Sequence, residues 1–337
     1  MKSAFITGIS GQDGAYLAKL LLDKGYEVHG GVRRISQQSD TRLRQLGIAD
    51  DVKLHDFDLA EINGIARVIR LLQVDEFYNL AAQSFVGSSW DLPIYTSDVN
   101  GLGVARILDS LRTFSPHSRF YQASTSEMFG LAQEVPQRET TRFHPRSPYG
   151  VAKAFAHHLT INYRESFGMH ASCGILFNHE SPLRGVEFVT RKITTNLARI
   201  ARGGKEPLQL GNLDSKRDWG FAGEYVEGMW SMLQQQKADD YVLASGVTTT
   251  IRDFVNYAGQ ALDVEIEWVG RGVQERGLDR KTGATIVAVN PTYYRPAEVG
   301  LLLGDASKAR DVLDWTPRVS VKDLAMMMAI SDYDALK

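Results

Sequence analysis

The chain has 337 residues, 43% apolar and 23% charged, enough to bury a substantial core in one large domain or two joined ones and far from disordered or fibrous compositions. Lys plus Arg number 38 against 40 Asp plus Glu, a net charge of −2, so no overall positive field exists to hold a nucleic acid or an anionic membrane, and any anion must be bound locally. The single cysteine, Cys173, excludes an intrachain disulfide and a thiolate metal cage. No segment approaches the length of an apolar membrane span, and the apolar run after Met1 is too short for a signal peptide, so a cytoplasmic enzyme or binding protein is expected.

In chain order, Ser3-Ala4-Phe5-Ile6-Thr7 reads as a strand, Gly8 to Gly14 as a glycine turn, and Ala15 to Lys24 as an amphipathic helix closed by Gly25. Strands follow at Glu27 to Val32, Val52 to Phe57 and Glu76 to Leu80, with a helix over Ile62 to Leu72. Helices over Val99 to Phe114 and Tyr149 to Phe167, and strands over Ser118 to Gln122 and Ala171 to Phe177, continue the alternation. This rhythm predicts an α/β fold, a doubly wound parallel sheet with helices on both faces.

After Phe177 the rhythm breaks, with Pro182, Gly185, Gly203-Gly204, Pro207 and Gly211 around one helix from Val189 to Arg202. Tyr241 to Ala244 reads as a strand returning to the sheet. The expected division is therefore interleaved. Residues 1–178, with a return near 218–247, form a dinucleotide-binding domain, and 179–217 and 248–337 form most of a smaller α/β domain. The stretch from Gly270 to Tyr294, rich in glycine and charge, reads as a long surface loop that serves as a lid or a subunit contact. Met326-Met327-Met328 reads as helix packing.

The spacing Gly8-x-x-Gly11-x-x-Gly14 between a strand and a helix lets backbone amides approach a pyrophosphate at the positive end of the helix. Such a turn also needs glycine for conformational reasons alone. Its position at the start of a βα unit favours the dinucleotide reading, with Gln12 and Asp13 in the same turn. The second strand runs into Arg33-Arg34, where an NAD site places an acid. Two guanidiniums suit a 2′-phosphate, favouring NADP, unless they belong to a solvated basic loop with Arg42 and Arg44. By position, Asp58-Leu59 suits the adenine, and Leu80-Ala81-Ala82-Gln83-Ser84 the nicotinamide half.

Tyr149 and Lys153 stand four apart, on one face of a helix. An ammonium beside a phenol lowers its pKa and makes a base, although an exposed helical pair has the same spacing. Ser124 and Thr125, at the end of a strand, could hydrogen-bond a substrate hydroxyl. Glu127 could take a carbon-bound proton next to a ketone and return it to a departing hydroxyl; otherwise it is an N-cap or an ion-pair partner. His179 reads either as a contact for the nicotinamide or as a core histidine. His157-His158 point apart on their helix, no His-Glu-x-x-His occurs, and no metal is expected.

Together these residues resemble the extended short-chain dehydrogenase/reductase superfamily, and more closely the GDP-mannose 4,6-dehydratase family. The likeness covers Gly8 to Gly14, Asn79 to Val86, Ala123 to Glu127, Pro148 to Lys153, Phe177 to Pro182, Phe188 to Lys192, Lys216 to Gly220 and Tyr294 to Val299. It implies Thr125, Glu127 and Tyr149 as catalytic, with Lys153 tuning the tyrosine and holding the nicotinamide ribose. It also implies NADP contacts from Arg33, Arg34, Asp58, Tyr95, His179 and Arg184. Ser84, Asn178, Lys192, Arg217, Arg295 and Glu298 would hold the nucleotide sugar. The loop after the second strand would reach a neighbouring subunit, implying a homotetramer or dimer. Arg33-Arg34-Ile35-Ser36 replaces the Arg-Arg-Ser-Ser frequent in the family, and Leu183 stands where an Arg is frequent. A GDP-manno-heptose dehydratase, a 4-epimerase or 4-reductase, and a nonenzymatic NADP sensor are the alternatives; Glu127 disfavours the epimerase and reductase, and an intact Tyr149 and Lys153 the sensor.

Overall fold

The computed structural model describes residues 1–33, 40–293 and 301–336. The first half alternates as β1 (Ser3–Thr7), α1 (Gln12–Asp23), β2 (Glu27–Val32), α2 (Thr41–Gln45), β3 (Lys53–Asp56), α3 (Ile62–Leu72) and β4 (Glu76–Asn79). Short helices α4 (Ser88–Asp91) and α5 (Pro93–Ser97) precede a π-helical turn at Asp98–Leu102 and α6 (Gly103–Phe114). Then come β5 (Arg119–Thr125), α7 (Pro148–Phe167), β6 (Ala171–Leu176) and β7 (Asn178–Glu180). The second half contains α8 (Val189–Ala201), β8 (Leu208–Leu210), β9 (Lys216–Phe221), α9 (Ala222–Gln234), β10 (Asp240–Leu243), β11 (Thr248–Thr250) and α10 (Ile251–Ala261). Strands β12 (Ile266–Val269), β13 (Arg276–Asp279) and β14 (Thr285–Val289), with helices α11 (Ser307–Leu313) and α12 (Val321–Asp334), complete it.

Seven strands form one sheet in the order β10-β6-β5-β4-β1-β2-β3, with every pair parallel. Strand alternation sends Ala4, Ile6, Tyr78 and Tyr121 to one face, against Leu17, Leu21 and Met229 of α1 and α9. Phe5, Phe77 and Phe120 go to the other, against Val68, Ile107 and Ala156 of α3, α6 and α7. Both faces are thus covered. The order reverses between β1 and β4, so a crevice opens at the carboxyl ends of these strands, where ligands bind in such sheets.

The second half builds a three-stranded sheet, β11-β9-β7, and a four-stranded one, β12-β13-β14-β8. A separate apolar cluster joins the four-stranded sheet to α8, α10 and α12 through Ile193, Leu197, Phe254, Val287 and Leu324. The stretch expected to be a long surface loop is instead two antiparallel connections in this sheet. The β-branched run Thr285-Ile286-Val287 supplies strand propensity, and Gly283, at φ +72°, lies in the connection between β13 and β14. Glycine and charge marked strand connections there.

Candidate active site

The chain leaves β1 through Gly8, whose φ is +70°, and enters α1 with Gly11 at the N-cap. A Cβ on Gly14 would stand 2.3 Å from the Gly8 carbonyl oxygen, so only glycine lets the first helical turn close on the loop. The result is a cleft of about 400 Å³ at the positive end of α1. Gly8, Gly11, Gln12, Asp13, Gly14, Arg33, Asp58, Leu59, Leu80, Ala81, Ala82, Gln83, Ser84, Tyr95 and Arg184 all line it. Arg33 donates to the Tyr95 hydroxyl at 2.7 Å, and Asp58 accepts from the Ala60 amide. Arg34, Arg295 and Glu298 lie outside the described residues.

A second pocket, of about 200 Å³, shares Asp13, Leu80, Ala82, Ser84 and Arg184 with the first. Thr125, Glu127, Tyr149, Lys153, Asn178, His179 and Arg217 line it. Thr125 ends β5 and caps a 3-10 turn, accepting from the Glu127 amide at 3.3 Å. Ser147 caps α7 by accepting from Gly150 N at 3.1 Å, which places Tyr149 in the first turn. Gly150 admits the close approach of α7 to this turn, because a Cβ there would be 2.8 Å from the Glu127 carbonyl oxygen. The Thr125 hydroxyl acts on the Tyr149 phenol and lowers its proton affinity, and Lys153 Nζ donates to the Ala123 carbonyl at 2.9 Å.

The electrostatics depart from the sequence reading. Burial, reinforced by the Glu127 charge and opposed by the Thr125 hydroxyl, pushes the Tyr149 phenol up to about 12. Burial also brings Lys153 down to about 8. The expected depression of the phenol by the ammonium is absent: Lys153 Nζ is 5.9 Å from the Tyr149 ring centroid and spends a hydrogen bond on a backbone carbonyl. Ser124 also lines this pocket, and its hydroxyl pairs with His157 Nδ1 at 2.9 Å.

His179 is buried, with Nδ1 2.8 Å from the Phe177 carbonyl oxygen and Nε2 2.8 Å from Asp13 Oδ2. Both nitrogens face acceptors, an arrangement that favours the doubly protonated ring and its ion pair with Asp13. Burial would lower its pKa, but Asp13 and the Phe177 carbonyl raise it overall. Burial would raise Asp13, but the charge and hydrogen bond of His179, with the Gln12 amide, bring it down to about 2. Tyr225 stacks on the imidazole at 4.6 Å and 19°.

The sequence reading missed the apolar wall of this pocket, made by Phe85, Val86, Phe188, Val189 and Trp219, and the buried Glu180. Apolar residues at a pocket carry no signal that separates them from core. It also missed Asn100 in the π-helical turn, which accepts from Gln83 N at 2.8 Å and donates to Gln83 O at 2.9 Å, fixing the loop shared by both clefts. Lys192 does not line the pocket; its ammonium lies over the Tyr293 ring at 3.7 Å.

Comparison with known proteins agrees with this geometry. A family described as GDP-mannose 4,6 dehydratase matches residues 5–328. The GDP-mannose 4,6-dehydratase of Sinorhizobium fredii is 53% identical, over 100% of this chain and 98% of that one. The enzyme of that name from Drosophila melanogaster is 50% identical, over 100% and 87%. Among solved structures, UDP-glucose 4-epimerase from Thermotoga maritima with UDP-glucose superposes at a TM-score of 0.84, with 19% identity over 99% of this chain and 100% of that one. RMD from Pseudomonas aeruginosa complexed with NADPH superposes at 0.77, with 20% identity over 99% and 100%. These last two share the fold, the Rossmann-type sheet of extended short-chain dehydrogenases/reductases. With half of its residues shared along its whole length with such enzymes, this chain belongs to the GDP-mannose 4,6-dehydratase family.

Proposed function

We propose that the chain is a hydro-lyase that converts GDP-mannose to GDP-4-keto-6-deoxymannose with NADP bound at the carboxyl end of β1. The first cleft suits that cofactor: glycine backbone at the α1 N-terminus for the pyrophosphate, Asp58 and Leu59 at the adenine end, and Arg33 toward the 2′-phosphate. Bound there, NADP would supply a reversible hydride acceptor for the oxidation at sugar C4 and the reduction at C6. Everything else falls to side chains. Tyr149 takes the 4-hydroxyl proton while Thr125 holds the same oxygen and Lys153 stands against the ribose. Glu127 removes the C5 proton, acidified by the new 4-ketone, and delivers it to the departing 6-hydroxyl, which leaves as water. Tyr149 then returns its proton to C5, so protons balance. Arg217, with Asn178 and Ser84, supplies charge and hydrogen bonds toward the nucleotide diphosphate and the sugar.

The observation that carries this reading is the carboxylate of Glu127 lining the same pocket as the Thr125–Tyr149 hydroxyl pair; a simple oxidation or a 4-epimerisation needs no second base there. Incubation with GDP-mannose deuterated at C4 should give a product lighter by one water, labelled at C6, without accumulation of NADPH. Reduced cofactor in proportion to turnover, or label absent from C6, would overturn it.

Self-association, as a dimer or tetramer, is part of the proposal. Trp90, Leu92, Ile94, Leu102, Val151 and Phe155 are all exposed on α4, α5, α7 and the segments joining them, an apolar face that suits a second copy. Among the described residues no helix is long and apolar enough to cross a membrane, and we place the enzyme in the cytoplasm. Sedimentation of Phe155→Glu against the unchanged chain tests the association.

A further inference from the structure

Three positions on one stripe of α7 engage three successive residues of β5. The Tyr149 phenol meets the influence of the Thr125 hydroxyl, Lys153 bonds the Ala123 carbonyl at 2.9 Å, and His157 Nδ1 lies 2.9 Å from Ser124 Oγ. Residues 149, 153 and 157 stand at i, i+4 and i+8, one helical turn apart each time. Ser124 is four residues beyond Phe120 and therefore on the same face of the strand, the face where Phe120 packs with Phe5, Phe77 and Ala156. Ser124 and Thr125 both line the pocket.

His157 has no direct route to the chemistry. It is 3% exposed and does not line the pocket. Phe143 closes over it edge-on at 5.1 Å, and Phe143 packs in turn on Phe129, beside the turn that carries Glu127. Asp240, His158 and Arg164 are the charged or titratable groups acting on the ring, and burial holds it down at about 4. A neutral, enclosed ring with its hydrogen bond on a strand terminus can only hold that terminus in place.

We propose that His157 is a positioning residue, which through Ser124 fixes the end of β5 and with it the placement of Thr125 and Glu127 against Tyr149. This rests on the dehydratase reading of those three residues. Misplacement of reacting groups by about 1 Å costs on the order of a hundredfold in rate, so a loosened rung reads out in kcat and not in ground-state binding.

The test is a double-mutant cycle on the NADP-loaded enzyme with GDP-mannose. His157→Phe and Ser124→Ala should each lower kcat roughly tenfold to a hundredfold, with KM changed by no more than about twofold. The double variant should be no slower than the slower single one, because one contact is being removed twice. His157→Asn, whose amide can meet Ser124 as Nδ1 does, should recover most of kcat. Melting of each holoenzyme fixes the folded fraction, and Ser124→Ala with His157→Asn suffices where His157→Phe does not fold. Losses that multiply in the double variant, or wild-type kcat per folded molecule in Ser124→Ala, would overturn the proposal. Label transfer by the unchanged enzyme, run alongside, tests the dehydratase reading separately.

Discussion

Asp13→Asn removes the anionic half of the pair that joins the glycine turn to β7. Bringing the Asp13 carboxyl from its ordinary 3.8 to about 2 is worth roughly 2 kcal/mol at about 1.4 kcal/mol per tenfold in proton affinity. At an unfolding entropy near 2.1 cal/mol/K per residue, that corresponds to a Tm lower by about 3 °C in this chain. The pH window follows from the two directions. The depressed Asp13 contributes fully above its unfolded pKa and is lost as pH falls through about 2. The raised His179 contributes fully below about 6.5 and is lost as pH rises through its folded value. Tm of the cofactor-free chain should therefore be highest on a plateau between about pH 4 and 6.5 and step down on its alkaline side. In the variant the plateau should be lowered and that alkaline step should vanish. Arg184 and Tyr225, the other groups that meet the imidazole, are present in both proteins and cancel. A variant that melts like the unchanged chain at every pH would refute the ion-pair assignment.

Three further outcomes follow from the geometry of the clefts. Gly14→Ala drives a methyl group to 2.3 Å from the Gly8 carbonyl oxygen, and a fluorescence titration should show NADPH binding weakened roughly tenfold to a hundredfold, the equivalent of 1–3 kcal/mol of overpacking. Tyr149→Phe keeps the ring and removes the proton carrier, so kcat should fall by about 10² to 10⁴ while NADP affinity, measured by the same titration, is retained. Arg217→Gln should raise KM for GDP-mannose roughly tenfold to a hundredfold, the worth of a charged hydrogen bond, with kcat retained in steady-state assays.

The parallel sheet was legible because strands covered on both faces read as apolar runs, such as Ala4-Phe5-Ile6 and Ala171 to Leu176. The smaller sheets were not. Strand β9 reads Lys216-Arg217-Asp218-Trp219-Gly220-Phe221, with no period-2 apolar pattern. It is a strand because β11 and β7 pair with it and because buried Asp218 accepts from Ser245 N, Gly246 N and Gly304 N, partners that are remote in sequence. The dinucleotide cleft was legible for a local reason, since its glycines, Asp58 and the residues from Leu80 to Ser84 each follow a strand of one parallel sheet. The pairing of Ser124 with His157 depends on how α7 packs on β5, which the sequence does not show. The shift of Tyr149 was not available at all, because burial by several elements sets it.

Glu127 and Tyr149 carry protons in turn, and their coupling is visible in the phenol: the Glu127 charge is among the causes that hold its proton affinity high. While Glu127 is ionised, Tyr149 is the stronger base, which suits withdrawal of the 4-hydroxyl proton. That repulsion is relieved only while Glu127 holds the C5 proton, before the proton leaves with the 6-hydroxyl. Neutralising the carboxylate permanently should therefore do more than stop the elimination. Glu127→Gln should bind NADP and GDP-mannose, form the 4-ketone and stall with reduced nicotinamide. The pH at which this first oxidation reaches half its maximal rate, followed by the absorbance of NADPH, should be lower than in the unchanged enzyme. A midpoint that stays put or moves upward would mean that Glu127 acts on the sugar alone and that the two proton carriers are independent.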